Sequence, residues 1–134
     1  MSNNNISDAG IAAIAEGLTN SVNLTELFLS YNDLSENSGL VLAKSLENKS
    51  WLKILGLNNC KLSTEGVIAI AMAIGPHKAL QELYLYSNGI TADGGIAISK
   101  ALRNKHDIKM IGLSNNKIGF RGAEALGESL SDKN

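Results

Sequence analysis

Two carboxylates, Glu26 and Glu82, have the residue type and spacing that come closest to a hydrolytic site in this sequence. The repeat described below places them on one face of a sheet with a single strand between them, about 10 Å apart. That separation is near the one between the paired carboxylates of inverting glycosidases. A gently curved sheet, however, has no deep pocket that excludes water or raises the pKa of an acid. Because the sequence also shows no Ser-His-Asp or Cys-His arrangement, it predicts no catalytic residues and a protein that is not an enzyme.

A column of basic residues is the second candidate site. Lys49, His77 and Lys105 occupy equivalent positions in successive repeats, and Lys78 and His106 follow two of them. Stacking of the repeats would align these side chains along one edge, where they could hold an anion. The alternative is that they are ordinary loop residues in contact with solvent. Histidines beside lysines are poor metal ligands because like charges repel a cation, so we expect neither a metal site nor a cofactor.

The composition excludes several classes of partner and site. The 12 basic and 13 acidic residues give a net charge of −1, which provides no overall attraction to nucleic acid or to a membrane surface. The single cysteine, Cys60, excludes an intramolecular disulfide and a multi-cysteine metal site. The opening segment MSNNNISDAG lacks the charge and the apolar run of a signal peptide. We therefore expect a cytoplasmic protein without nucleic-acid or membrane partners.

The sequence repeats every 28 residues. The segment LTELFLSYNDL, which begins at Leu24, returns as LKILGLNNCKL at Leu52, LQELYLYSNGI at Leu80 and IKMIGLSNNKI at Ile108. We expect a single domain over residues 1–134, composed of a partial repeat and four further repeats with the bounds 1–23, 24–51, 52–79, 80–107 and 108–134.

Each repeat predicts a strand followed by a helix. Leu27 and Leu29 alternate with Phe28 and Ser30, a period of two that indicates a strand with one buried face. In the second half of the repeat the apolar spacing changes to one, three and four residues, which indicates a helix. Repeats of this kind bury their apolar faces by stacking. The predicted fold class is α/β: a solenoid, or horseshoe, with a concave parallel sheet of about four strands and convex α-helices. Asparagines follow three of the predicted helices, where we expect left-handed backbone: Asn20, Asn48 and Asn104.

The pattern LxxLxLxxNxL followed by a helix resembles the leucine-rich repeat family. Its length is most similar to that of the ribonuclease-inhibitor-like subfamily, and similar repeats occur in NOD-like receptors, tropomodulins and Ran GTPase-activating proteins. The asparagine of the pattern falls at Asn32, Asn88 and Asn116, with Cys60 as the exception. An inward amide at this position can bond main-chain groups of its own and adjacent turns. The Cys60 thiol, a weak donor, can do only part of this.

The outward side of the strands, which we call the concave face, is the strongest candidate binding surface. Four of the chain's six aromatic residues fall on it, and exposed rings on a rigid surface are typical binding anchors. Phe28 and Tyr84 flank Gly56, which predicts a slot with a glycine floor between two rings. The alternative is that the rings only cover the sheet or meet a neighbouring molecule. The predicted partner-binding residues are Glu26, Phe28, Ser30, Tyr31, Gly56, Asn58, Glu82, Tyr84, Tyr86 and Met110.

These features predict a protein-interaction module that binds a partner through the concave face. The resemblance to Ran GTPase-activating proteins implies an alternative, an enzyme-regulatory protein, but no residue maps onto a catalytic one. A third hypothesis is a structural fragment of a larger scaffold or sensor. Neither end of the sequence shows a distinct capping unit, so we also expect self-association through exposed solenoid ends.

Overall fold

Five helices and four strands alternate along the chain. The structure, a computed structural model, describes residues 1–131. Within this range the elements are α1 (Asp8–Thr19), β1 (Glu26–Phe28), α2 (Glu36–Leu46), β2 (Ile54–Gly56), α3 (Ser63–Ile74), β3 (Glu82–Tyr84), α4 (Ala92–Leu102), β4 (Met110–Gly112) and α5 (Gly119–Ser131). None of these helices combines the length and the hydropathy needed to cross a membrane.

The four strands form one parallel sheet in chain order. Equivalent residues pair across it, as shown by the register Glu26 to Ile54, Ile54 to Glu82 and Glu82 to Met110. The spacing of the sequence repeat is therefore the spacing of the sheet register. The predicted α/β fold class, a solenoid with a parallel sheet and helices on its other side, is confirmed.

The core lies between the sheet and the helices. The central leucines of the first three strands are buried, and the apolar stripes of the middle helices pack against them. Burial of one such side chain contributes about 1.5–3 kcal/mol relative to exposure. Side chains with at most 1% exposure include Leu29, Leu42, Leu46, Leu55, Leu57, Ile70, Ile74, Leu83, Leu85, Ile98 and Leu102.

The asparagine column joins neighbouring repeats, as the sequence predicts. The amide oxygen of Asn88 accepts hydrogen bonds from the backbone N–H groups of Cys60 at 3.0 Å and Leu62 at 3.3 Å. Its Nδ2 donates to the carbonyls of Leu57 at 2.7 Å and Leu85 at 3.1 Å. Asn32 and Asn116 make the equivalent bonds in their own repeats. One side chain thus satisfies backbone groups of two turns, which would otherwise be buried without partners.

Cys60 reproduces the donor half of this arrangement and only part of the acceptor half. Its thiol donates to the carbonyls of Leu29 at 3.2 Å and Asn58 at 3.4 Å. In the other repeats, the N–H equivalent to that of Leu34 donates to the asparagine side-chain oxygen. Here the N–H of Leu34 donates to the backbone carbonyl of Asn32 at 3.0 Å. Burial raises the pKa of the Cys60 thiol, while backbone hydrogen bonds from Asn32 and Tyr31 act in the opposite direction. The thiol is therefore a neutral structural group.

The expectation of left-handed backbone at the helix ends is wrong. Asn20 closes α1 at φ −90° and Gly75 closes α3 at φ −47°, both right-handed. Left-handed backbone instead occurs three residues after the strands, at φ +59° in Tyr31 and φ +51° in Asn59. The helices end in tight turns, such as the bond from the N–H of His77 to the carbonyl of Ile74, so they do not need a left-handed residue.

Candidate protein-binding face

The structure brings the predicted binding residues to one face, although it buries two of them. Phe28, Tyr31 and Met110 are exposed by 41%, 47% and 51%. Glu26 is also exposed, whereas Asn58, Glu82, Tyr84 and Tyr86 are half-buried. Ser30 and Gly56 are buried, so a partner on the concave face has little access to them.

Gly56 is not the floor of an open slot, and this part of the expectation is wrong. A Cβ atom added at Gly56 would lie 2.8 Å from Cδ1 of Phe28, so the Phe28 ring already occupies the space above the glycine. Tyr84 takes a similar position, since its Cδ1 would lie 3.3 Å from a Cβ added at Gly112. A ring that meets no opposing side chain buries more apolar area by lying over the neighbouring glycine. The face is therefore a filled aromatic surface.

Ser30 is a structural residue rather than an accessible one, which corrects its predicted position. Its hydroxyl oxygen accepts a hydrogen bond from the backbone N–H of Asn58 at 3.0 Å. The side-chain oxygen of Asn58 in turn accepts from the backbone N–H of Tyr86 at 2.9 Å. These bonds join three adjacent turns where the chain leaves the sheet.

Contacts within the face hold three of its aromatic rings in place. The rings of Tyr31 and Tyr86 meet edge to face, with centroids 5.9 Å apart and an interplanar angle of 68°. The Tyr84 hydroxyl donates to Oε2 of Glu82 at 2.7 Å, and this hydrogen bond raises the pKa of Tyr84. The carboxylate of Glu82 thus accepts a hydrogen bond from Tyr84 on an open surface. This bond positions the Tyr84 ring.

The predicted basic edge site is wrong for Lys49, His77 and Lys105. Each is only 1% exposed, so these side chains neither hold an anion at the surface nor lie in solvent. Nζ of Lys105 donates to the carbonyls of Ile74 at 2.8 Å, Gly75 at 2.9 Å and His77 at 2.8 Å. These carbonyls lie at the C-terminal end of α3, where backbone acceptors lack helical partners and the helix dipole favours a positive charge.

The other two members of this column contact the preceding helix ends in the same way. Nζ of Lys49 donates to the carbonyl of Thr19 at 3.4 Å, at the end of α1. Nε2 of His77 lies 3.4 Å from the carbonyl oxygen of Glu47, directly after α2. Three successive repeats, 24–51, 52–79 and 80–107, therefore each supply a donor that caps the helix of the repeat before it. We call Lys49, His77 and Lys105 the capping column.

His77 differs from the two lysines because one of its ring nitrogens is unsatisfied. Within the described residues, Nδ1 of His77 is buried without a hydrogen-bond partner. Burial lowers the pKa of His77; the backbone bond to Glu47 acts in the opposite direction, and the charges of Lys105 and Lys49 lower the pKa further. Lys78 and His106 remain exposed beside the column.

Residues 1–131 contain no cluster of three or more histidine, cysteine or acidic side chains that could hold a metal ion.

The convex side carries an apolar surface that the sequence interpretation missed. Met72 is 74% exposed and Leu40 47% exposed. Half-buried or exposed apolar residues surround them, and we call the whole set the α3 patch: Leu40, Ile68, Ala69, Met72, Pro76 and Ile96. The signal in the sequence was the outward side of α3, which has no charged residue after Glu65. The aromatic residues of the concave face drew the interpretation away from it.

Comparison with known proteins assigns the repeats. The family model described as Leucine Rich repeat matches residues 1–15, 48–71 and 78–99. These segments are leucine-rich repeats. Among solved structures, the chain is similar to one titled Leiomodin-1 Actin-Binding Site 2 (ABS2), with a TM-score of 0.74, over 91% of this chain and 71% of that one. The sequence identity is 21%, so this similarity concerns the fold. No curated protein matches the sequence.

Proposed function

We propose that this leucine-rich-repeat chain, of the ribonuclease-inhibitor-like type, is a protein-interaction module that binds its partner through the concave face. The observation that carries the proposal is the set of exposed and half-buried rings that the structure fixes on a rigid parallel sheet. The anchor residues are the four rings, Phe28, Tyr31, Tyr84 and Tyr86, together with the exposed side chain of Met110.

Fixed rings favour binding because less conformational entropy is lost when a partner orders them. Tyr31 and Tyr86 are held by their edge-to-face contact, and Tyr84 is held by its bond to Glu82. Tyrosine combines a large apolar area with a polar tip, which is why it is frequent among the residues that dominate interface energy. Glu26, exposed at the border of these rings, supplies a charged rim.

The similar structure supports a binding role for this fold, since it is the actin-binding site 2 of leiomodin-1. We propose a protein partner for the present chain and do not identify it with actin. We propose no enzymatic role, because Glu26 and Glu82 lie on an open face and Glu82 already accepts a hydrogen bond from Tyr84.

Affinity capture with matched variants tests the proposal. The bait is the full chain, compared with a Phe28→Ala/Tyr84→Ala/Tyr86→Ala variant and with Phe120→Ala, which removes a ring that is 80% exposed at the start of α5. We expect a partner retained by the wild type and by Phe120→Ala but lost by the triple variant. Circular dichroism of the variants verifies that each remains folded.

The affinity of the captured partner then gives the energy of a single ring. Tyr84→Ala is expected to weaken binding by about 1–4 kcal/mol, the range of interface anchors. Identical capture by all three baits, or an affinity unchanged in Tyr84→Ala and Phe28→Ala, would rule out the concave face.

A further inference from the structure

The α3 patch is a continuous apolar surface in the middle of the convex side. Leu40, Ile68 and Ile96 occupy equivalent positions of α2, α3 and α4, and Met72 projects one turn further along α3 with 74% of its surface exposed. Exposed apolar patches with charged borders are typical of protein–protein contacts. The border here is charged on both sides, by Lys44 and Glu47 at the end of α2 and by Asp93 and Lys100 on α4.

The order of the border charges indicates what covers the patch. α4 has Asp93 in its first turn and Lys100 in its last turn, and α2 has Glu36 and Lys44 in the same order. Asp93 and Lys100 are about 10 Å apart along the helix. Within residues 1–131 neither forms an ion pair, since the salt bridge there joins Lys61 to Asp33.

A second copy of the chain fits this charge pattern when it packs antiparallel. The two-fold axis runs perpendicular to the helices, along the row formed by Leu40, Ile68 and Ile96. It crosses α4 midway between Asp93 and Lys100. Rotation about it brings Asp93 of one copy opposite Lys100 of the other, twice per dimer, and brings the apolar row against itself. Such a contact is isologous and closes at two copies.

We propose that the chain forms an antiparallel dimer through the α3 patch, with the row of Leu40, Ile68 and Ile96 on its two-fold axis, Met72 one turn from that axis and the Asp93–Lys100 pairs at its rim. This contact lies on the opposite side of the sheet from the concave face, so it does not depend on the proposed partner-binding function. It also differs from association through the solenoid ends, which would extend the sheet and would not stop at two copies.

Sedimentation equilibrium of the full chain over a wide concentration range tests the dimer. We expect the mass to rise from the 14.2 kDa of one chain to twice that value and no further. Met72→Glu is expected to weaken the association by about tenfold or more, since it buries one carboxylate of each copy in the apolar contact. Phe28→Ala, on the concave face, is the control and leaves the dimer intact.

A charge swap identifies the orientation. Asp93→Lys places like charges against Lys100 of the second copy and is expected to weaken the dimer, while Asp93→Lys/Lys100→Asp restores the opposite pairs and the association. A chain that is monomeric at every concentration overturns the proposal. So does association that persists in Met72→Glu, that ignores the charge swap, or that grows beyond two copies.

Discussion

The ammonium group of Lys105 lies 2.8 Å from the carbonyl oxygen of Ile74, 31 residues earlier in the chain. Two more carbonyls, of Gly75 and His77, accept hydrogen bonds from Nζ, and the side chain is 1% exposed. Burial of an unpartnered ammonium would be strongly unfavourable. Three carbonyl acceptors at a helix C-terminus compensate for it, and they tie the third repeat to the helix before it.

Lys105→Met is therefore expected to destabilise the fold although it keeps much of the side-chain volume. The substitution removes the Nζ donor from the carbonyls of Gly75 and His77, while the carbonyl of Ile74 keeps its bond from the N–H of His77. We expect a loss of about 3 kcal/mol in the free energy of unfolding. Urea denaturation measures it. Lys78→Met, an exposed lysine next to the column, is the control and should change stability by less than about 0.5 kcal/mol. Equal effects of the two substitutions would contradict the capping role.

His77 is expected to make stability depend on pH. Because the pKa of His77 is lowered in the fold, the unfolded chain binds the proton more readily. Stability is then constant above the unfolded pKa of about 6.5 and falls as the pH drops toward the folded pKa, by at most about 1.4 kcal/mol per pH unit. The groups that oppose the charge are Lys105 and Lys49.

Urea denaturation between about pH 7 and pH 5 measures this dependence, within the range where histidine titrates. His77→Gln keeps a donor for the carbonyl of Glu47 without a titrating ring and should flatten the profile. His106→Gln, at an exposed position, should leave the profile unchanged. A wild-type slope that survives in His77→Gln would assign the pH dependence to other groups.

Cys60→Asn is expected to stabilise the protein by completing the asparagine column. An amide at this position offers an oxygen to the N–H groups of Asn32 and Leu34 and donors to the carbonyls of Leu29 and Leu57, as Asn88 does one repeat later. A net gain of about 1 kcal/mol is expected from the added hydrogen bonds. Thermal and urea unfolding measure it beside Cys60→Ala, which removes the thiol donor and should lower stability. A Cys60→Asn protein less stable than the wild type would contradict this account of the column.

Gly56→Ala is expected to disturb the concave face through Phe28. The new methyl group would lie 2.8 Å from Cδ1 of the ring, so the ring must move into solvent, at a cost of about 1 kcal/mol in stability. In the double variant Gly56→Ala/Phe28→Ala the ring that clashes with the new methyl group is absent. The stability losses of the two single variants should therefore not be additive. A double-mutant cycle in urea tests this, and additive effects would place the ring elsewhere.

The sequence by itself determined the repeat, the α/β fold class and the inward side of each strand. These features follow from local periodicity, because an apolar residue at every second strand position has one buried side wherever the strand is placed. The role of Asn88 was predictable for the same reason, since an amide at a fixed position of every repeat meets the same backbone groups in each.

The tertiary structure alone decided the environment of single side chains between repeats. Lys105 looked like a surface lysine because charge predicts exposure on average, whereas its burial depends on carbonyls that stacking brings to it from the preceding repeat. Phe28 closed the predicted slot because a strand pattern gives the side of the sheet but not the direction in which a ring leans over Gly56. Likewise, the exposure of Met72 depends on how far the neighbouring helices stand from α3. Such environments are set by distances between repeats, which periodicity within one repeat does not contain.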